Sequence, residues 1–301
     1  MKRGVIVSLI IISVLVFLYM IVSWVVVDQS LVAKSKEITE YPSDYSLEYE
    51  SVSFSPADDP SITLRGWWIP QQNSKGTIIW IHGLDSARDG NVEFLSSVHK
   101  EGYSLLAFDL RGHGESDKVA MGAGQHEQQD VLGAFDYLMS RGISSETIGI
   151  LGFSMGASTS LLAVVQEPEI QALVADSPYA DVSDLIAQET VRKTPFPGWL
   201  VPAFIPAAKL MADKLYGIDV STLVPERAVI GISYPILVIH GMEDTRIPFD
   251  HGVRVHEASN PESDIWLVPG VGHVDAFLTR PDEYVERVDD YFKSRLQLEV
   301  R

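Results

Sequence analysis

The 301-residue chain contains no cysteine. That excludes disulfide bonds, thiolate catalysis and cysteine-ligated zinc, and it leaves the redox compartment open. Basic residues are scarce too: 23 Lys and Arg against 41 Asp and Glu give a net charge of −18. Phosphate backbones need a basic surface, so this balance argues against a nucleic-acid partner. The sequence has no repeats, low-complexity tracts, P-loop or dinucleotide fingerprint, and no cofactor is expected. Metal-ligand patterns are thin. His126-Glu127-Gln128-Gln129-Asp130 begins like a zinc H-E-x-x-H motif, lacks the second histidine and reads as a solvated helix face. His251 and His256 are five apart and do not share a helix face. No metal site is expected.

What the chain does have is an apolar run, Val5 to Val27, without one charged residue. At about 1.5 Å per residue it reaches roughly 34 Å as a helix, enough for a hydrocarbon core of about 30 Å. Met1-Lys2-Arg3 precedes it, and Trp24 falls where aromatic belts form. A cleaved signal peptide has a shorter apolar region and a small-x-small site, for which Leu31-Val32-Ala33 is a poor match. The reading is therefore an uncleaved signal anchor, making a single-pass membrane protein. Lys2 and Arg3 are balanced by Lys34 and Lys36 across the run. The free amino terminus and the closer placement of Lys2 and Arg3 favour that end inside, which puts the large domain outside the cytoplasm. The partition is 1–27 as anchor, 28–47 as a polar tether without periodicity, and 48–301 as one domain with an insertion at about 179–233.

From Gly76 onward short apolar runs alternate with helical patterns: Thr77–Ile81, Ser104–Phe108, Thr147–Leu151, Ile170–Ala175, Ile236–Ile239 and Ile265–Val268 as strands, with helices between them. Two further strands, near Leu47–Phe54 and Ile62–Pro70, precede them. This pattern predicts a mostly parallel sheet covered on both faces. The insertion exceeds any ordinary connection. Its centre, 194–208, carries four prolines and no charge, so it must bury itself somewhere. It is either a lid that offers Phe196, Trp199 and Phe204 to an apolar substrate or to the membrane face, or a cap packed on the domain without substrate contact.

The chemistry is carried by Gly152-Phe153-Ser154-Met155-Gly156. G-x-S-x-G alone is a weak pattern, but here a buried strand leads into it and a small apolar helix leaves it, so Ser154 sits on a strained strand-to-helix turn. A serine hydroxyl is barely nucleophilic until a base takes its proton, and the base needs an orienting acid. Asp244 and His273 follow the ends of two later strands, and in an open parallel sheet such ends converge. Glu243 leaves the same strand as Asp244 and stays open as the acid; Asp176 is a weaker substitute. His82 and His240 precede glycines in loops and read as structural, and His113 in its Gly-rich turn reads as locally hydrogen-bonded.

These residues resemble the α/β-hydrolase superfamily, from about residue 48 to the C-terminus. The motifs are Ile81-His82-Gly83, Asp109-Leu110-Arg111-Gly112-His113-Gly114-Glu115-Ser116, the Ser154 pentapeptide, His240-Gly241-Met242-Glu243-Asp244 and Gly270-Val271-Gly272-His273. Within it the chain looks like the membrane-anchored, serine-dependent branch near the Bem46-like and α/β-hydrolase-domain-13-like proteins. The resemblance implies the α/β-hydrolase fold, with Ser154 as nucleophile, His273 as general base then acid, and Asp244 holding its tautomer. The backbone N–H groups of Leu84 and Met155 would form the oxyanion hole. The implied function is a membrane-anchored serine hydrolase acting on carboxylic esters, thioesters or acyl lipids. Peptidase, amidase and acyltransferase chemistry use the same three residues. A non-catalytic scaffold usually loses a member of this set or a glycine of the elbow, and here all are present.

Overall fold

The computed structural model describes residues 2–34, 36–193 and 197–296. In chain order the strands are β1 (Glu50–Phe54), β2 (Leu64–Ile69), β3 (Thr77–Ile81), β4 (Ser104–Asp109), β5 (Ile148–Phe153), β6 (Leu173–Asp176), β7 (Leu237–Gly241) and β8 (Asp264–Val268). The helices are α1 (Lys2–Ser30), α2 (Val92–Lys100), α3 (Glu127–Ser140), α4 (Met155–Val164), α5 (Ile186–Lys193), α6 (Val201–Tyr216), α7 (Pro225–Ala228), α8 (Asp250–Ala258), α9 (Ala276–Thr279) and α10 (Pro281–Arg295). They fall into two compact units. One joins Met1–Val32 to Val182–Thr222, and the other joins Ala33–Asp181 to Leu223–Arg301.

The larger unit is built on an eight-stranded sheet in the order β1-β2-β4-β3-β5-β6-β7-β8. β2 runs antiparallel to both its neighbours, and every pairing from β4 to β8 is parallel. Strands β3, β4 and β5 are buried along their whole lengths, as a sheet covered on both faces requires. Their side chains alternate between two cores. Ile79, Ile81, Leu106 and Phe108 pack with α3, α4 and α8. Ile78, Trp80, Leu105 and Phe153 pack with α2, α9 and α10. The chain passes from β3 outward to β4 and then returns to the other side of β3 for β5. The strand order therefore reverses at β3/β5, where open α/β sheets open a crevice beyond the strand ends.

The smaller unit pairs elements far apart in sequence. Helix α1 packs against α5 and α6. Tyr19 donates its O–H to the carbonyl of Ala203 (2.9 Å) and stacks on Phe204 with centroids 5.2 Å apart. Nine residues on, Asp28 accepts from the Tyr216 O–H (2.8 Å). Helix α6 starts with Pro202 in its first turn, where no N–H is needed, and tolerates Pro206 inside. It ends at Gly217 with φ +67, where the Ile218 N–H reaches back to Ala212 O (3.0 Å).

The region read as a polar tether is more structured than its composition suggests. Helix α1 continues through Asp28 to Ser30, Pro42–Tyr45 forms a 3₁₀ turn, and Leu47 is buried. Thr39 N–H donates to Asp89. The face carrying Glu127 and Asp130 is buried rather than solvated. Glu127 accepts from the N–H groups of Gly122 and Gly124, and Asp130 holds the guanidinium and N–H of Arg111 at 2.7 and 2.8 Å. A polar pattern reads as solvent-facing unless its partners, here the loop just before Glu127 and an arginine 19 residues before Asp130, are known.

Candidate active site

Ser154 lies between β5 and α4 with φ +54 and ψ −120, a region that non-glycine residues rarely occupy. Its N–H is held by Asp176 O at 2.8 Å. The flanking glycines are dictated by close approach of main chain. A Cβ on Gly152 would lie 2.7 Å from Gly156 O, and one on Gly156 would lie 2.5 Å from Ile81 O and nearer still to His82 O. The elbow thus presses α4 onto the end of β3, and it carries Ser154 beside Gly83, whose added Cβ would sit 3.0 Å from that of Ser154. Met155 opens α4, so its N–H belongs to the helix N-terminus, where donors have no helical acceptor. Leu84 follows Gly83 on the facing loop.

His273 comes from the loop after β8 and Asp244 from the loop after β7. The two loops are locked together. Glu243 N–H donates to Val271 O (2.8 Å), and Gly241 lies so close to the Val271 and Gly272 carbonyls that no side chain fits. His273 Nδ1 is 2.6 Å from Asp244 Oδ2, and its Nε2 is 2.8 Å from Ser154 Oγ. The carboxylate sits with Nδ1–H as its donor, which leaves Nε2 to accept the serine proton. Asp244 is buried, and its Oδ1 takes the N–H groups of Arg246 and Ile247, both at 2.8 Å. Burial pushes the pKa of this carboxyl up, but the donors from His240, His273 and Ile247 outweigh it and hold it well below the usual carboxylate range. Glu243 is exposed, and Asp176 is taken by Tyr284 and Ser177. Asp244, rather than either alternative, faces His273.

His240 has the structural role expected of it, and the structure shows what it supports. Fully buried, it donates from Nε2 to Ile247 O (2.9 Å) and stands 3.3 Å from Asp244 Oδ2. It braces the loop that presents the acid. The signal was its four-residue spacing from Asp244 across one strand end. His82 and His113 are structural. The His82 Nδ1–H donates to Gly83 O (2.8 Å) and its Nε2 accepts from Leu110 N–H (3.1 Å). His113 does the same between Arg111 O and Asp85 N–H. Of the insertion residues, Phe196 lies outside the described residues, Trp199 is 81% exposed, and Phe204 lies on Tyr19.

Burial lowers the pKa of both His82 and His113 from 6.5 to about 4; for His113 the neighbouring His82 adds to the effect. The native state refuses protons that the unfolded chain accepts, so stability is present above about pH 6.5 and is lost as pH falls toward 4. The loss is on the order of 3 kcal/mol per histidine. In urea unfolding across this window, His113→Asn should start less stable and show a shallower decline. An unchanged slope would overturn the assignment.

A reversed strand order with a strained serine elbow and a serine–histidine–aspartate chain beyond the strand ends defines an α/β hydrolase. Residues 72–223, half of the chain, match the family model described as serine aminopeptidase, S33, and the chain belongs to that family. It is a hydrolase, carboxylesterase-like in build. Protein YfhR of Escherichia coli K12 is 26% identical over 258 residues, covering 82% of this chain and 81% of that protein. The lysophosphatidylserine lipase ABHD12 of Danio rerio is 26% identical over 193 residues, covering 62% of this chain and 48% of that protein. Among solved structures, the Pyrococcus furiosus esterase Pf2001 is 28% identical with a TM-score of 0.70, over 88% of this chain and 98% of that one. The Penicillium hydrolase GrgF, at 17% identity and TM-score 0.67 over 83% of this chain and 99% of that one, shares the fold.

Proposed function

We propose that the protein is a membrane-anchored serine hydrolase that cleaves carboxylic esters, thioesters and acyl lipids being within reach of the same chemistry. The observation that carries this reading is the continuous chain from Ser154 Oγ through His273 to Asp244, at 2.8 and 2.6 Å. His273 Nε2 takes the serine proton as Oγ bonds to the substrate carbonyl carbon. The resulting oxyanion is received by the N–H groups of Met155 and Leu84, donors that act in the transition state. The C–O bond to the alcohol breaks as His273 returns the proton to the leaving oxygen, giving an acyl-Ser154 ester. Water, deprotonated by the same nitrogen, then releases the acid. Asp244 remains ionised throughout and keeps Nε2 free to accept.

Support for an ester comes from the esterase and lipase names of two relatives. Support for attachment comes from α1, where an 18-residue window within Gly4–Ser30 has a mean hydropathy of 3.2. With Lys2 and Arg3 inside, the hydrolase domain lies outside the cytoplasm. The family's description as a serine aminopeptidase keeps an amide reading in play. The deciding experiment gives the full chain, in detergent micelles, p-nitrophenyl esters from acetate to palmitate and amino-acid p-nitroanilides. Ester turnover that exceeds anilide turnover, with covalent fluorophosphonate labelling, is the expected result. Anilide preference would transfer the assignment to peptidase chemistry. A folded protein that neither turns over substrate nor takes the label would be a scaffold.

A further inference from the structure

Two contacts set helices α1 and α6 side by side and parallel: Tyr19 with Ala203 and Phe204 near the start of α6, and Asp28 with Tyr216 at its end. Asp28 is the first charged residue after the apolar run, so it marks where α1 leaves hydrocarbon. Tyr19 is nine residues further in, about 13 Å at the helical rise, against a leaflet hydrocarbon depth of about 15 Å. At that depth a phenol needs a partner, and the Ala203 carbonyl supplies one. Ala203 and Phe204 are thereby placed at the same depth, and the chain immediately before them, with Trp199 at 81% exposure, extends from that level.

The composition of α6 agrees independently. Val201 to Ala208 carries no charge, whereas Lys209, Asp213 and Lys214 all lie in the half nearer Tyr216. Lys209 reaches Ser183 and Lys214 pairs with Asp213. Both helices thus change from apolar to charged in the same direction.

We propose that the insertion is a second membrane-contacting element, in which Trp199, Leu200 and Phe204 enter the lipid leaflet beside α1. This rests on α1 crossing a bilayer. The occupant of the exposed apolar surface is lipid, because the α1 contacts put that surface at hydrocarbon depth. The insertion then contacts the membrane as a non-spanning wedge.

The absence of cysteine makes the test clean. Single variants Ile10→Cys and Trp199→Cys of the full chain, both at exposed positions, are labelled with an environment-sensitive nitrobenzoxadiazole dye. They are reconstituted in phosphatidylcholine vesicles, with and without doxyl-labelled lipid. Both labels should emit in the blue, lose fluorescence to the doxyl lipid and resist aqueous iodide. If Ile10 behaves so while Trp199 is quenched by iodide and ignored by doxyl lipid, the wedge is overturned and the anchor stands. If the Ile10 label is itself open to iodide, the anchor falls and the wedge with it.

Discussion

Replacing Ser154 with alanine is expected to reduce kcat/KM for a p-nitrophenyl ester by a thousandfold or more and to abolish fluorophosphonate labelling. The three side chains act as a unit, so removing the nucleophile costs about as much as removing all of them. What survives is the modest acceleration that the Leu84 and Met155 N–H groups and substrate binding can give to attack by water. The fold should hardly notice. Alanine keeps the main-chain bond from residue 154 N–H to Asp176 O and faces the same positive φ as serine. The hydroxyl makes one contact, to His273 Nε2, in a site that water can reach through the 17% exposed imidazole. An unchanged thermal midpoint alongside the lost rate is therefore the full expectation. A variant keeping a tenth of the activity would sink the assignment of Ser154.

Gly156→Ala should damage both stability and rate, although it adds one methyl group outside the reacting set. That methyl would meet the Ile81 and His82 carbonyls, and both are main-chain atoms at the end of a buried strand that cannot rotate away. Helix α4 would have to lift from β3, yet all ten of its residues are buried. Overpacking of this kind costs about 1–3 kcal/mol. The same displacement separates the Met155 N–H from the Gly83–Leu84 loop, so kcat should fall more than KM rises. Gly142→Ala is the control. There φ is +82 but nothing lies within 4 Å of the added carbon. It should cost about 1 kcal/mol of backbone strain and leave kcat unchanged. Equal effects from the two variants would show that glycine flexibility, rather than contact, matters at position 156.

Much of this architecture is legible in the sequence because its physical causes are local. Runs such as Thr77–Ile81 must be strands buried on both faces, and Ser154, Asp244 and His273 each follow the end of one. The resemblance names Asp244, but strand-end position alone does not separate it from the adjacent Glu243. Burial of one and the 2.6 Å contact with His273 separate them. Glu127 and Asp130 misled because a helical pattern shows neither the loop that turns the Gly122 and Gly124 N–H groups back onto Glu127 nor the tertiary approach of Arg111 to Asp130. The insertion resisted for the same reason. Helix α6 contains two prolines, and the surface that stabilises it belongs to a helix almost two hundred residues earlier.

That pairing changes what the first thirty residues are for. A generic tether could be exchanged for any apolar segment of equal length, but α1 presents Tyr19 and Asp28 at fixed heights to Phe204 and Tyr216. A transplanted apolar helix would leave α6 without its mate. Trimming the chain at residue 28 for easier handling would leave that flank bare and sticky in solution. Helix α1 is thus part of the cast of the unit it forms with α5 and α6, and a change at Tyr19 or Asp28 should be felt at Phe204 or Tyr216.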